Sequence, residues 1–222
     1  MAVVGAGAFG GWTALMLLRR GYEVALVDAW GPGNSRASSG GDTRVIRGMY
    51  GPDQIYTDWV VRAFEIWREE SQRWDIDLYR PTGALWMFRG EDAYARASLP
   101  FLRRAGLAVD TPSVADAARR WPQIRFDGVR AVYYEHAAGY LRARESCRVV
   151  AEHVVAEGGE WILANVKLPS GAGGRQLKAV QLSSGDELQA DHFVFACGPW
   201  LTSLFPDVVG HALRPTRQEV FY

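Results

Sequence analysis

Short apolar runs and helical patterns alternate at the start of the chain. Residues 2–4 are an apolar run that predicts a strand, and residues 11–20 carry leucines in a helical pattern that stops at Gly21. A second apolar run, residues 24–27, ends at Asp28. Glycine is the usual residue just after a helix, so Gly21 marks the end of the predicted helix. Strand, helix and strand in this order predict the βαβ unit of an α/β protein.

The rest of the chain predicts a mixture of helices and strands. Residues 29–54 show no sustained period and predict a long loop. Apolar residues then recur at helical spacing from Ile55 to Trp67, and the tryptophans of this stripe, Trp59 and Trp67, are expected in the core. Further helices are predicted over 92–104, after the capping residue Ser113, and over 143–157. Strands are predicted over 82–88, 131–135, 161–168, 177–182, 192–196 and 213–222, with a hairpin loop over 170–175.

The turn between the first strand and the first helix reads GAGAFG, residues 5–10. Gly5 permits the tight turn, Gly7 lets the backbone approach a pyrophosphate, and Gly10 allows the helix to pack closely on the strand. Free N–H groups at the helix N-terminus can then bind the phosphates. Asp28 follows at the spacing at which an acid accepts a ribose hydroxyl. The segment predicts an adenine dinucleotide site, and the motif alone fits FAD and NAD(P) equally.

Composition narrows the class of protein. The chain has 25 basic residues (lysine plus arginine) and 25 acidic residues (aspartate plus glutamate). Its net charge is therefore zero, and no net electrostatic attraction draws it to nucleic acid or to an anionic membrane. Glycines and arginines interrupt the apolar N-terminal stretch, which argues against a membrane span or a typical signal peptide. The two cysteines and four histidines lack metal-ligand spacing. We expect a cytoplasmic protein with no metal, no nucleic-acid partner and no membrane partner.

One segment of the long loop concentrates polar side chains. Residues 38–50 read SSGGDTRVIRGMY and contain paired glycines, Asp42 and two arginines, Arg44 and Arg47. Paired glycines let backbone approach a planar ligand, and the guanidinium fork fits carboxylates and ring carbonyls. Arginine is mostly a surface residue, however, so the pattern alone is also consistent with two solvated arginines that bind no ligand.

Six blocks of the sequence together resemble one family. They are VVGAGAFG (3–10), ALVDAWGPG (25–33), SSGGDTRVIRGMYG (38–51), PTGALWM (81–87), ACGPW (196–200) and RPTRQEVFY (214–222). Their order and spacing are similar to those of the monomeric sarcosine oxidase group, within the FAD-dependent oxidoreductases that include D-amino acid and glycine oxidases. The resemblance covers essentially the whole chain and about the first half of the family's usual length.

The resemblance implies a role for each matching position. Arg47 matches the arginine that binds the substrate carboxylate, and Tyr50 lies one turn beyond it, so these two are the expected catalytic residues. Asp28 would hold the adenosine ribose, and Val166 would meet the adenine through its backbone. Gly40 departs from the pattern, since sarcosine oxidases commonly carry a histidine there. The expected FAD-binding residues are Gly5, Ala6, Gly7, Ala8, Phe9, Gly10, Asp28, Ala29, Ser38, Ser39, Arg44, Val45, Val166, Ala196, Cys197, Gly198 and Trp200.

The resemblance also implies a fold and an activity. The expected fold class is α/β, an FAD-binding Rossmann-like domain with an inserted antiparallel-sheet substrate domain, in a truncated chain. Residues 1–80 and 140–205 are expected to form the FAD-binding domain, and residues 81–139 and 206–222 the substrate domain. The implied activity is oxidation of the C–N bond of an amino acid or N-methyl amino acid by hydride transfer to FAD.

Two alternatives stay open. A truncated, non-catalytic chain, or one half of a split flavoprotein that needs a missing C-terminal half, would share the same ancestry. An NAD(P)-dependent dehydrogenase would use the same opening motif, but its domain normally continues with further βαβ units. This chain instead breaks into the long arginine-bearing loop, which favours FAD. The expected partner is a small amine or amino-acid substrate.

Overall fold

The structure, a computed structural model, describes residues 1–168 and 177–219 and divides into two compact units. The first unit comprises Met1–Asp42 and the described residues from Ala143 onward, and the second is Thr43–Arg142. The second unit is therefore an insertion in the sequence of the first. The boundaries between the two compact units follow residues 42 and 142. The domain limits expected from the sequence, at residues 80 and 140, stay a prediction.

Short strands and helices alternate along the described residues. The strands are β1 (Ala2–Val4), β2 (Ala25–Asp28), β3 (Arg44–Ile46), β4 (Tyr79–Arg80), β5 (Ala84–Phe88), β6 (Val109–Asp110), β7 (Ala131–Glu135), β8 (Gly139–Leu141), β9 (Glu160–Leu163), β10 (Val166–Lys167), β11 (Ala179–Leu182), β12 (Glu187–Gln189) and β13 (Phe193–Phe195). The helices are α1 (Ala8–Leu18), α2 (Gln54–Trp74), α3 (Ala93–Arg104), α4 (Val114–Arg120), α5 (Ala143–Ala156), α6 (Leu201–Leu204) and α7 (Pro206–Val209).

A parallel sheet organises the first unit, in the order β13–β1–β2–β9. Val3 pairs with Val194 on one side and with Leu26 on the other. β1 and β2 are almost entirely buried, which explains why they read as continuous apolar runs. Helix α1 packs against α5 so closely that a Cβ at Gly11 would lie 3.2 Å from a methyl of Val150. The predicted βαβ opening is confirmed.

The single strand predicted over 161–168 is wrong, because the chain changes sheet within it. β9 ends at Leu163 in the parallel sheet, whereas β10 begins at Val166 in an antiparallel sheet of order β10–β11–β12. Between them, the Asn165 N–H donates to Ser183 Oγ instead of continuing the parallel ladder. The sequence conceals this break because apolar residues of both strands face one core cluster, which includes Val166 and Val180.

Two antiparallel sheets organise the second unit, in the orders β3–β8–β4 and β5–β7–β6. One apolar cluster contains Met49, Leu102 and Tyr133, and another contains Phe126 and Val132. Because each cluster lies wholly within residues 43–142, the unit has a core of its own. The inserted antiparallel sheet of the expected fold class is therefore present.

Two details of the second unit differ from the sequence predictions. The loop predicted over 29–54 contains β3, which the sequence did not reveal because it is three residues long and its Val45 is 68% exposed. The expectation that the tryptophans of α2 lie in the core is wrong for Trp59, which is 62% exposed, while Trp67 is buried. The buried face of α2 instead runs through Val60, Phe64 and Trp67.

The strand predicted over 213–222 is wrong for residues 213–219, which form no regular element. A strand needs a neighbour to satisfy its N–H and C=O groups, and no strand of the described residues pairs with this segment. Residues 220–222 and the hairpin loop predicted over 170–175 lie outside the described residues. Within the described ranges, no helix is long and apolar enough to cross a bilayer.

Candidate functional site

Two of the three motif glycines are required by packing in the first unit. Gly5 has φ of +105°, and a Cβ there would lie 2.4 Å from the carbonyl oxygen of Ala196. A Cβ at Gly10 would lie 1.6 Å from the carbonyl oxygen of Gly5. Both positions therefore allow the turn after β1 to pack tightly against α1 and the residue that follows β13.

Gly7 differs from the other two, because nothing in the described chain requires it to be glycine. Its φ is −74°, and a Cβ there would meet only Ser39 Oγ, at 3.8 Å. Gly7 is the N-cap of α1, provides no side-chain cap, and is followed by no acidic residue in the first turn. The missing side chain thus leaves open space in front of a helix N-terminus, where N–H groups and the helix dipole favour an anion.

Asp28 is fixed by the backbone around it. Its Oδ2 accepts the Ala6 N–H at 2.8 Å, and its Oδ1 accepts the N–H groups of Trp30 and Gly31 at 2.8 and 2.9 Å. Because a carboxylate has about four lone-pair positions, three bonds leave room for one further donor. The carboxylate is therefore held in place, ready to accept one hydroxyl.

These groups line a cavity of about 610 Å³ that lies within the first unit. The predicted FAD-binding residues on its wall are Gly5, Gly7, Ala8, Phe9, Asp28, Ala29, Ser38, Ser39, Val166, Ala196, Cys197, Gly198 and Trp200. Ala6 and Gly10 are buried and do not line it. The volume lies in the range of small-molecule and cofactor sites.

Val166 turns its backbone polar groups away from the neighbouring strand. Next to it, the Ser183 N–H donates to the Asn165 carbonyl, so residues 165 and 183 form a hydrogen-bonded pair. Hydrogen-bonded and non-bonded pairs alternate in an antiparallel ladder, so Val166 and Leu182 form a non-bonded pair. Since β10 is an edge strand among the described residues and Val166 lines the cavity, no described strand uses its N–H and C=O, which can therefore bind a planar ligand.

An aromatic pair and a thiol complete the cavity wall. The rings of Trp30 and Trp200 lie 4.9 Å apart between centroids, and the Arg36 guanidinium lies 4.9 Å from the Trp30 ring. Burial, with the negative charge of Asp28 as a smaller cause, raises the pKa of Cys197 to about 11. Cys197 is therefore a protonated thiol at neutral pH, suited to packing and not to nucleophilic attack.

The loop through Ser39 and Gly40 is hydrogen-bonded to the beginnings of α1 and α5. Ser39 Oγ accepts the Ala8 N–H at 3.3 Å, and the Gly40 carbonyl accepts Arg144 Nε and Nη2 at 3.1 and 2.9 Å. A Cβ at Gly40 would lie 2.0 Å from the carbonyl oxygen of Asn34. The loop conformation of this chain therefore excludes a histidine at position 40.

The predicted substrate residues lie in the second unit, together with Arg44 and Val45 of β3. The Arg47 guanidinium lies 4.5 Å from the Tyr50 ring and 5.2 Å from the Trp86 ring, and its Nη1 donates to the Met49 carbonyl. No ion pair involves Arg47 in the described part of the chain. Its positive charge is therefore available to a ligand carboxylate.

A buried acid lies beside this arginine. Glu135, 3% exposed, accepts the Gly48 N–H at 2.7 Å through Oε2 and the Trp86 Nε1–H at 2.7 Å through Oε1. Burial raises the pKa of Glu135, whereas its hydrogen bonds to Gly48, Trp86 and Met49 and the charge of Arg47 lower it. Sequence reasoning missed Glu135 and Trp86; the only signal was an acid at the end of the apolar strand AVYYE.

Comparison with known proteins is consistent with this geometry. The model of the family described as "FAD dependent oxidoreductase" (DAO) matches residues 1–222. The chain belongs to this family. The membership confirms the resemblance found in the sequence and favours FAD over a nicotinamide cofactor. Among the residues that the structure describes, no cluster of side chains could hold a metal ion.

Several curated relatives of this DAO-family chain are oxidases. Monomeric sarcosine oxidase of Bacillus sp. (strain B-0618) is 27% identical over 221 residues, covering 98% of this chain and 56% of the relative. N-methyl-L-tryptophan oxidase of Citrobacter koseri is 24% identical over 218 residues, covering 98% of this chain and 57% of the relative. Peroxisomal sarcosine oxidase of Mus musculus is 27% identical over 202 residues, covering 91% of this chain and 51% of the relative. The chain spans about half the length of the curated relatives it matches.

Solved structures confirm the fold class. L-proline dehydrogenase from P. horikoshii superposes with a TM-score of 0.77 at 18% identity, covering 93% of this chain and 55% of that one. Glycine oxidase from Bacillus cereus gives a TM-score of 0.70 at 18% identity, with 92% and 56% covered. At these identities the likeness concerns the fold of the DAO-family chain and leaves its substrate open.

Proposed function

We propose that this chain supplies the FAD-binding and carboxylate-binding parts of an oxidase that acts on the C–N bond of an amino acid or N-methyl amino acid. The observation that carries the proposal is the cavity of the first unit, which is lined by open space at Gly7, a fixed acceptor at Asp28 and, at Val166, a backbone edge that no described strand pairs with. These three features match a pyrophosphate, a ribose and an adenine in turn.

The residues of the first unit would hold the adenosine diphosphate part of FAD. The N-terminus of α1 at Gly7 and Ala8 would bind the pyrophosphate, and Asp28 Oδ2 would accept a ribose hydroxyl. Val166 would bind the adenine through its backbone N–H and C=O. Ser38, Ser39, Arg44 and Val45 are proposed for the flavin side. When bound, FAD supplies the hydride acceptor for the reaction.

Arg47 would bind and orient the substrate through its carboxylate. Rings at Tyr50 and Trp86 flank the guanidinium, and no acid of the described residues forms an ion pair with it. A guanidinium binds a carboxylate through two parallel charge-assisted hydrogen bonds, which fixes the orientation of the bound molecule. Relatives named for sarcosine and N-methyl-L-tryptophan support an amino-acid substrate. Cytoplasmic residence stays part of the proposal.

A second candidate is an FAD-binding half that works only with a partner polypeptide. The observation that favours it is coverage, since the chain spans 56% of a monomeric sarcosine oxidase. This candidate shares the cavity with the first and differs in whether the chain alone holds flavin.

The test is flavin retention, with Gly7→Ala as the decisive variant. The chain is incubated with FAD, desalted and measured for the visible flavin band. We expect the unmodified chain to retain the band and Gly7→Ala to lose it, because the new methyl enters the cavity, where it meets the protein only at Ser39 Oγ, in ordinary van der Waals contact at 3.8 Å. Gly7→Ala should cost no more than about 1 kcal/mol of unfolding free energy, whereas Gly10→Ala should cost about 3 kcal/mol through its contact with Gly5.

Asp191→Ala, an exposed acid in the same unit, is the matched control for Asp28→Ala. Only Asp28→Ala should weaken flavin binding. Equal retention by the unmodified chain, Gly7→Ala and Asp28→Ala would place flavin elsewhere and reject the site. If folded, unmodified chain retains no flavin, the second candidate replaces the first.

A further inference from the structure

Glu135 is placed to control the loop that carries Arg47. Its face of the β5–β7 pair also bears Trp86, and this face packs on Met49 and α3. Both carboxylate oxygens accept N–H groups from neutral donors, one on each side: Gly48 from the loop and Trp86 from β5. The acid therefore joins the loop to the strand without occupying the guanidinium of Arg47.

We propose that Glu135 is the positioning residue of a carboxylate anchor, and that it holds the Arg47 guanidinium between Tyr50 and Trp86 by fixing Gly48 and the Trp86 indole. This inference rests on the function proposed for Arg47. It adds Glu135 and Trp86 as residues that set how strongly a substrate carboxylate binds.

The Gly48 contact fixes the backbone immediately after Arg47. The Gly48 N–H donates to Glu135, and the Gly48 carbonyl accepts the Thr57 hydroxyl at 3.0 Å. A Cβ at Gly48 would lie 2.7 Å from Leu102 and 3.3 Å from Glu135 Oε2. Gly48 is thus held through both its N–H and its C=O, and a side chain there would have to displace Leu102, so the backbone that follows Arg47 is fixed.

The Trp86 contact fixes one of the two rings that flank the guanidinium. The indole has a single N–H donor, and that donor is bonded to Glu135 Oε1. The ring orientation is therefore set by the acid, and Arg47 lies over this ring at 5.2 Å and over Tyr50 at 4.5 Å. Of the five N–H donors of the guanidinium, one on Nη1 is used by the Met49 carbonyl, which leaves donors for a ligand carboxylate.

Glu135→Gln tests this arrangement at constant volume. The amide keeps one acceptor oxygen but presents an NH₂ group to either Gly48 or Trp86, so that donor faces donor. The probe is N-methylglycine, its affinity is measured by calorimetry, and the Trp86 indole N–H resonance is followed in chain labelled with ¹⁵N-tryptophan. That resonance is assigned by its disappearance in Trp86→Phe.

We expect N-methylglycine to shift the Trp86 resonance in the unmodified chain, and Glu135→Gln to raise the Kd about tenfold. Trp86→Phe removes the opposing donor while keeping a ring, so the double variant Glu135→Gln with Trp86→Phe should bind within about twofold of Trp86→Phe alone. Tyr133→Phe is the matched destabilising control, since it removes a hydrogen bond of 2.5 Å to Asp92 in the same unit. It should leave the Kd unchanged.

The outcomes separate this inference from the proposed function. If Arg47→Ala abolishes binding while Glu135→Gln retains the original Kd, Arg47 keeps its role and the positioning role of Glu135 is rejected. If Tyr133→Phe and Glu135→Gln raise the Kd equally, Glu135 contributes only to stability, and the inference is likewise rejected. If N-methylglycine affects neither the heat signal nor the Trp86 resonance of the unmodified chain, both the anchor and the inference fail.

Discussion

Glu135 shows at the scale of one residue how burial and hydrogen bonding oppose each other. Removing the carboxylate from water raises its pKa, and three N–H donors together with Arg47 reduce the shift without cancelling it. A buried acid of this kind costs stability when it is ionised. The role proposed for it in this chain is the placement of residues 47–49.

A pH dependence follows from the raised pKa of Glu135. The folded chain binds this proton more tightly than the unfolded chain, so the stability contributed by Glu135 is present at low pH and is lost as pH rises from the ordinary glutamate pKa through the raised one. Since glutamine does not titrate, the stability lost in Glu135→Gln should shrink as pH rises from about 4 to about 7.

Urea unfolding of both chains at each pH measures this difference. Asp92 and Asp110, whose pKa values are lowered by hydrogen bonds from Tyr133 and His136 respectively, titrate in both chains and cancel in the comparison. A loss of stability that is constant or increases with pH would show that the Glu135 carboxyl is not disfavoured as an anion in the folded chain.

Strand β10 shows at the scale of an element how register decides function. Neighbouring residues of an edge strand point their N–H groups in opposite directions. Val166 directs its N–H away from β11, and Lys167, which pairs with Gln181, directs its N–H towards β11. A two-residue strand therefore separates a group available to a ligand from a group needed by the sheet.

Proline substitution distinguishes these two N–H groups. Val166→Pro removes only the outward N–H, so we expect the chain to fold and its flavin affinity to fall about tenfold, for one lost hydrogen bond to the cofactor. Lys167→Pro removes a ladder bond and should lower the free energy of unfolding by about 1 to 3 kcal/mol. Thermal unfolding and flavin titration of both variants measure the two effects; equal flavin affinity in Val166→Pro and the unmodified chain would remove the Val166 N–H from the adenine site.

At the scale of the whole molecule, each unit has its own apolar core and also exposes large apolar side chains. Val45, Trp59 and Ile55 are 68%, 62% and 53% exposed in the second unit, and Phe9 and Leu163 are 85% and 65% exposed in the first. β9, which carries Leu163, is an edge of the parallel sheet in the described residues. Exposed apolar edges favour association with other chains.

We therefore expect the 222-residue chain to self-associate on heating or at high concentration. Light scattering during thermal unfolding should rise with protein concentration, and the variant Trp59→Gln should reduce the effect because it removes an exposed ring from α2. Gln72→Asn, at an exposed polar position of the same helix, removes no apolar surface and should leave the scattering unchanged. A sharp, reversible transition of a monomer would contradict this expectation.

Local patterns in the sequence were sufficient for the opening βαβ unit, the glycine turn and Asp28. These features depend on residues close together in the chain, and burial on both faces produces continuous apolar strands that can be recognised directly. Family membership then follows from motifs whose order is itself a property of the sequence. The predicted residues of the cavity wall came from the resemblance to the family, and one of them, Val166, lies outside the motifs.

Only the tertiary structure decided which distant segments meet. Strand β3 exists because it pairs with β8, and the break at Asn165 exists because Ser183 Oγ accepts its N–H. Glu135 lies far from Arg47 in the sequence and reaches its loop and its flanking ring through Gly48 and Trp86. The spacing of apolar residues along the chain shows which side of a helix or strand is buried. It carries no information about which other segment packs against that side. Hydrogen-bond partners far apart in sequence are therefore set by the fold, and the placement of Arg47 depends on them.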